Sequence, residues 1–312
     1  MSGESSPGGM LELEELGHHS YRARNLAGPA PVVFGGQILA QTVMAAARSA
    51  PGKELKSLHT VFVRGAAPDR PLELDVDVLQ DGRTFATLNV SVHQGDRLCT
   101  RSLALLHVPE ADLIRHAADP PSVTPPDQTP ARPVSHPWWE LRVVGDVDFD
   151  DPDQVGPPEA AVWSRFRDVP AESSASQALL AFASDGFLIA TAMRPHKGVG
   201  QALAHVTIST TVMAQTLSFH EPFRADEWLL LAHNSPYAGR GRSYGRADVF
   251  TEDGRLVASY AQENMIRNFP EGQRPPPGQR VTAVWGYPPA QVGSGEHDAS
   301  RPPESFVFDL VP

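Results

Sequence analysis

The sequence predicts an α+β fold of two similar repeats, each an antiparallel sheet wrapped around one apolar helix. Three observations carry this expectation. Residues 34–50 (FGGQILAQTVMAAARSA) and 174–185 (SASQALLAFASD) have helical character with almost no polar face, and such helices are normally buried. Each is followed by runs that alternate apolar and polar residues, the sign of strands with one wet face. The runs also repeat: GDRLCTRSLAL at 95–105 lies over DGRLVASYAQE at 253–263, and GRTFA at 82–86 over GRSYG at 241–245. A repeat this long indicates duplicated domains rather than a solenoid.

Taken in order, residues 1–10 (MSGESSPGGM) are Gly/Ser-rich and read as a disordered N-terminus. The first repeat is bounded at 11–109. Its helix at 34–50 opens on Gly35 and Gly36 and ends at Pro51-Gly52. Strands are expected at 55–63, 72–79, 84–93 and 97–108; the second, LELDVDVL, alternates apolar with acidic. Asp81-Gly82 and Gly95-Asp96 supply hairpin turns. Residues 110–137 are rich in Pro, Asp and Ala and read as an exposed connection. The second repeat, 138–268, has strands at 138–147 and 161–168. Its helix over 174–185 is capped by Ser174 or Ser176 and stopped by a left-handed Gly186. Extended runs then follow at 205–220, 228–234, 243–251 and 256–268. Residues 269–312 form a Pro/Gly-rich tail with one docking segment at 305–310.

Composition narrows the function. Of the 312 residues 41% are hydrophobic and 20% charged, enough apolar material for a packed core. A formal net charge of −11 argues against a general nucleic-acid binder, and an anionic ligand would need local cationic patches. The single cysteine, Cys99, excludes an internal disulfide framework and fits a reducing compartment. No apolar run reads as long enough to span a membrane and the N-terminus lacks a signal-peptide core, so a soluble cytoplasmic protein is expected. No spacing of His, Cys and carboxylates suggests a metal site.

The residue that stands out chemically is Asp185. It ends an apolar helix, where its charge meets the wrong end of the helix dipole, and a semi-buried carboxylate there is a candidate for a perturbed pKa. The repeat shows that this polarity is one-sided. With Gln37 aligned on Gln177, Asp185 corresponds to Ala45, and Gln262 corresponds to Ala104. One working site per chain is expected, in the second half. Two copies of an apolar helix wrapped by an antiparallel sheet form the architecture called a double hotdog.

Several segments between residues 34 and 268 resemble the acyl-CoA thioesterase II (TesB-like) family of double hotdogs. They are FGGQ at 34–37, LHTVFVRG at 58–65, ASD at 183–185, FHEPF at 219–223, EWLL at 227–230, and DGRLVAS followed by AQE and RN within 253–268. The resemblance implies hydrolysis of acyl-CoA without a cofactor, by a water held between an Asp, a Thr or Ser, and a Gln. The Asp matches Asp185 and the Gln matches Gln262. Counted back from FHEPF, the hydroxyl slot falls on Val212; Thr211 is adjacent, and Thr210 shares the facing parity of Val212 and is taken as the third residue. A carboxylate can accept the proton of a water that an amide and a hydroxyl orient. Gly35 and Gly36 would let substrate approach a helix start whose N–H groups suit an oxyanion. Arg240, Arg242 and Arg246 are candidates for the coenzyme A phosphates. Hotdog sheets pair with one another, so the resemblance also makes a homo-oligomer an expectation.

Two rivals belong to other classes. A non-catalytic acyl-CoA-binding protein would bind without hydrolysis, consistent with Val212 in the hydroxyl slot. A serine esterase would use Ser243, since Gly241-Arg-Ser243-Tyr-Gly245 fits G-x-S-x-G. That motif needs a strand-to-helix turn, whereas a strand-like run follows here. A hotdog hydratase pairing is absent, because Ala190 stands five residues after Asp185.

Overall fold

A computed structural model describes residues 6–27, 30–134 and 136–269. The first half contains α1 (Pro7–Leu11), β1 (Leu13–Gly17), β2 (Ser20–Ala23), α2 (Gly35–Ser49), β3 (Glu54–Phe62), β4 (Leu72–Asp81), β5 (Phe85–Gln94) and β6 (Arg97–His107). The second half contains β7 (Ala131–Arg132), β8 (Trp139–Val143), β9 (Glu159–Phe166), α3 (Ser173–Ser184), α4 (Leu188–Met193), β10 (Ile208–Phe219), β11 (Leu229–Gly239), β12 (Arg242–Thr251) and β13 (Leu256–Asn268). The strands form one antiparallel sheet in the order β1-β2-β4-β5-β6-β3-β10-β13-β12-β11-β9-β8-β7. Apart from the short β7, this order is symmetric about its centre: β3 and β10 pair there, with Leu58 opposite Leu217. The two repeats therefore share one continuous sheet.

The strands form where the sequence alternates. In β5 every second residue (Ala86, Leu88, Val90, Val92) is buried, which is the period-2 pattern of a sheet with one covered face. The covered face packs on the helices. α2 buries Ile38, Leu39, Ala40, Val43, Met44, Ala45 and Ala46, and α3 buries Ala178 through Ala183 without interruption. Around Phe182 stand the rings of Phe34, Trp138, Trp139 and Phe166, with centroids 5.0 to 6.2 Å away, most of them edge-on or tilted. Such aromatic pairs add to the area they bury, and they clamp α3 one turn before Asp185.

Four expectations are corrected. Residues 7–10 are helical rather than disordered: Ser6 Oγ accepts from Gly9 N–H, and Met10 and Leu11 enter the core. The connection is exposed over 108–122, but from Val123 onward it docks on the second half. There Trp163 donates to Thr124 O and Arg142 to Thr129 O, and β7 pairs with β8. Gly186 does not take positive φ; Asp185 is in the right-handed region at φ −74°, and the chain turns through Phe187 into α4. The helical stretch Ser173–Met193 has the length and apolarity to cross a bilayer, contrary to the sequence reading, but most of it is buried inside this fold, as a core helix would be. The docking segment expected at 305–310 lies outside the described residues.

The two core helices run antiparallel and cross closely at their ends. A Cβ built on Gly36 would stand 2.3 Å from Phe182 O and 2.5 Å from the Phe34 ring. Only glycine permits this approach. Gly36→Ala should therefore destabilise the fold by about 1–3 kcal/mol, the usual cost of overpacking, seen as a lowered Tm. Gly17→Ala is the control, since nothing lies within 4 Å of a Cβ there, and its Tm should stay near wild type.

Candidate active site

Asp185 caps the C-terminus of α3 and faces the first turn of α2. Gly36 N–H donates to Asp185 Oδ2 at 2.9 Å, and a Cβ on Gly35 would stand 2.6 Å from the same oxygen. The residue itself is half-buried. Protein atoms around the carboxyl push its pKa up to about 7, and the Gly36 N–H pulls the other way. The carboxylate thus sits at the unfavourable end of its own helix and at the favourable, positive end of its neighbour.

Gln262 completes the pair from β13. Its Nε2 lies 3.4 Å from Asp185 Oδ1, 3.2 Å from Ser184 O and 2.6 Å from Gln215 Oε1. All three neighbours accept, which assigns this end of the amide as the nitrogen. Gln215, on β10 directly opposite Gln262, also donates to Ser184 Oγ, and Ser184 Oγ donates to Ala181 O at 2.8 Å. Ser184, Gln215 and Gln262 are each no more than 1% exposed. The buried amides are thereby tied to the end of α3 and fix where Asp185 points.

Sequence reasoning missed Gln215, and the reason is a β-bulge. Between Val212 and Ala214 β10 advances two residues while β13 advances one, so facing parity reverses there. Before the bulge Thr210 and Val212 face inward, opposite Ile266 and Asn264; after it Gln215 does. An uninterrupted count puts these residues on opposite faces.

The site residues divide. Asp185, Gln262 and Gly36 come together. Thr210 is inward and buried as its parity implied, but its partner Ile266 lies four residues beyond Gln262 on β13. That is about 13 Å along the strand at ~3.3 Å per residue. Its Oγ1 is 3.3 Å from His205 Nε2 instead, so the register does not bring Thr210 to the carboxylate. Thr211 bonds its Oγ1 to Val212 O. Arg240 and Gly241 form the β11–β12 turn with positive φ. Arg240, Arg242 and Arg246 are exposed, the last two alternating with the buried residues of β12. Ser243 is buried within that regular strand, so the G-x-S-x-G match is a hairpin and a strand, not a strand-to-helix elbow. Among the described residues no cluster of His, Cys, Asp and Glu could hold a metal ion.

The equivalent place in the first half is apolar. Leu58 and Ala104 face each other on β3 and β6 where Gln215 and Gln262 do on β10 and β13. Ala45 stands for Asp185, and all three are fully buried.

Comparison with known proteins agrees with this architecture. Residues 25–107 match the profile of the acyl-CoA thioesterase N-terminal domain, and residues 117–266 that of the C-terminal domain. The chain is 28% identical over 288 residues to acyl-coenzyme A thioesterase 8 of Homo sapiens, covering 84% of this chain and 89% of that one. It is 28% identical over 277 residues to acyl-CoA thioesterase 2 of Haemophilus influenzae, covering 83% and 96%. The crystal structure of acyl-CoA thioesterase II TesB2 from Mycobacterium marinum superposes with a TM-score of 0.73 at 29% identity, over 86% of this chain and all of that one.

The raised pKa of Asp185 has a sign that can be checked. The folded state holds this proton up to about pH 7, whereas an unfolded aspartate loses it near 3.9. Between those values the folded state binds more protons, so stability falls as pH rises. Asp185→Asn removes that penalty. Its Tm should exceed wild type at pH 8 and approach it at pH 4, as thermal unfolding at the two pH values will show.

Proposed function

Because the chain belongs to the acyl-CoA thioesterase family and carries both of its domains in order, we propose that it hydrolyses acyl-CoA to the free acid and coenzyme A at the Asp185–Gln262 centre. The single observation that carries this reading is the Asp185 carboxyl. It is held by a helix N–H and a buried amide, with its pKa raised to about 7. A base poised near working pH combines a substantial ionised fraction with useful basicity.

A water beside Asp185 gives a proton to the carboxylate as its oxygen bonds to the thioester carbonyl carbon. The carbonyl electron pair moves onto oxygen, where N–H groups at the start of α2 are the available donors. Gly36 N–H is already engaged by Asp185, so the Gly35 N–H is the better placed of the two glycines for the oxyanion. Collapse of the intermediate re-forms the carbonyl and breaks the C–S bond. Asp185 returns the proton, and coenzyme A leaves as the free thiol. The sequence needs no metal or cofactor: a thioester is activated enough for an oriented, partly deprotonated water.

Exposed Arg240 and Arg242 suit the coenzyme A phosphates. The buried free thiol of Cys99 supports a cytoplasmic location, and acyl-CoA turnover would place the protein in fatty acid metabolism. Exposed Val61, Leu103 and Leu105 on the outer face of β3 and β6 support association of copies through that face. The net charge of −11 supports a role apart from nucleic acid.

The test is thiol release from acyl-CoAs of graded chain length and branching. Wild type should turn over at least part of the panel, with kcat/KM rising to a plateau through one inflection near pH 7. Asp185→Asn should lose about 10²- to 10⁴-fold, the worth of a general base. A serine-directed phosphonate should leave turnover unchanged. Binding of acyl-CoA by calorimetry with no thiol release would favour the non-catalytic reading instead.

A further inference from the structure

Gln262 Nε2 has two hydrogens but three acceptors: Gln215 Oε1 at 2.6 Å, Ser184 O at 3.2 Å and Asp185 Oδ1 at 3.4 Å. The shortest contact goes to Gln215 and the longest to the carboxylate. The amide cannot relieve this by turning over, because its oxygen would then face the same three acceptors. Gln215 is fixed just as firmly. Ser184 Oγ donates to Ala181 O at 2.8 Å, so it accepts from Gln215 Nε2, and Gln215 Oε1 is left turned toward Gln262. On its other side Gln215 faces Thr60 of β3, whose Oγ1 pairs with Ser102 Oγ at 2.8 Å. Thr60, Ser102, Ser184, Gln215 and Gln262 are all buried, so their orientations are set by one another.

We propose that Gln215 is a positioning residue: by competing for the Gln262 amide it limits how far Gln262 donates to Asp185, and so tunes how readily that carboxyl takes a proton. Gln215 Oε1 draws off one amide hydrogen at close range. The other is shared between Ser184 O and Asp185. A fuller hydrogen bond to the ionised carboxyl would favour that form and make it a weaker base. Around Asp185 stand Gly35 and Gly36 of α2, Phe62 of β3 against the same Gly35, and Gln262 of β13; none of them titrates. Burial and the Gly36 N–H are what act on the carboxyl, which leaves Gln262 as the donor whose share can change.

This inference rests on the proposed thioester hydrolysis for its bearing on turnover, but the carboxyl can be titrated without substrate, which separates the two. The first half carries Leu58 at the place of Gln215, so Gln215→Leu introduces a residue that the same sheet accommodates, and it leaves Gln262 two acceptors for two hydrogens. Asp185 is followed by carbon-13 NMR in the full chain labelled at its aspartate carboxyls, with Asp185→Asn identifying the signal. In Gln215→Leu the titration midpoint should fall by about half a unit to one unit, the worth of one hydrogen bond to the ionised form, and the inflection of kcat/KM should fall with it. An apolar neighbour in place of a polar one would by itself push the midpoint up, so the sign separates this role from a merely structural one. In a Gln262→Leu background the same substitution should produce no fall. If Gln215→Leu does not fold, Gln215→Met is read in the same way. A midpoint unchanged or raised in the folded variant, or an equal fall without Gln262, overturns the role of Gln215. A lowered midpoint in a protein that releases no thiol from any acyl-CoA overturns the hydrolase reading and leaves the coupling of Gln215 to Asp185 standing.

Discussion

The close crossing of α2 and α3 is the constraint on which the rest of the molecule depends. Two nearly all-apolar helices can be buried only against each other and the enclosing sheet, and Gly36 lets their ends meet at backbone distance from Phe182 O. Because the helices are antiparallel, the contact joins the N-terminus of one to the C-terminus of the other. That juxtaposition, with the Gln262 amide beside it, makes Asp185 tolerable. Its own helix dipole opposes a negative charge, the first turn of α2 favours it, and the Gly36 N–H gives it a direct partner. Aromatic packing around Phe182 holds the crossing in place.

Duplication supplies two frameworks, and only one carries polar groups at this place. Asp185, Gln215 and Gln262 replace Ala45, Leu58 and Ala104 at equivalent places, while strand order is the same on both sides of the β3–β10 pair. The apolar version is the cheaper interior. The polar version needs partners for its buried groups, and it finds most of them within itself, through Gln215 to Ser184 and Gln262 to Gln215, with Gln262 Oε1 left unpaired. Three polar residues stand where the other half is apolar, and the backbone around them differs as well: β10 bulges after Val212, and Asp185 ends α3 where Ala45 lies inside α2.

Much of this was legible in the sequence. Alternation located the long strands within a few residues, and the repeat predicted two like halves, each with an antiparallel sheet, though not that β3 and β10 join them into one. The same comparison isolated Asp185 and Gln262, because it asked where two copies of one fold differ in polarity. The features that escaped depend on conditions no local pattern carries. The bulge near Met213 reverses facing and hid Gln215. Gly186 reads as a helix stop, yet the apolar residues after it find room under β11 and β12 and continue as α4, with Leu188 against Gly245. Ser6 to Leu11 looks like a flexible Gly-rich lead until Met10 and Leu11 are placed on the core.

The pKa of Asp185 connects these levels. Desolvation raises it and the helix N–H restrains it. A deeper burial without that donor would leave a neutral acid unable to accept a proton at physiological pH; an exposed carboxylate would be ionised but a weaker base. The helix crossing sets both quantities together, since the same approach that removes water from the carboxyl delivers the Gly36 N–H to it. The proton affinity of this carboxyl is therefore a property of helix packing, and under the proposed mechanism substitutions at Gly36 or Phe182 would act on turnover through the position of α3 relative to α2.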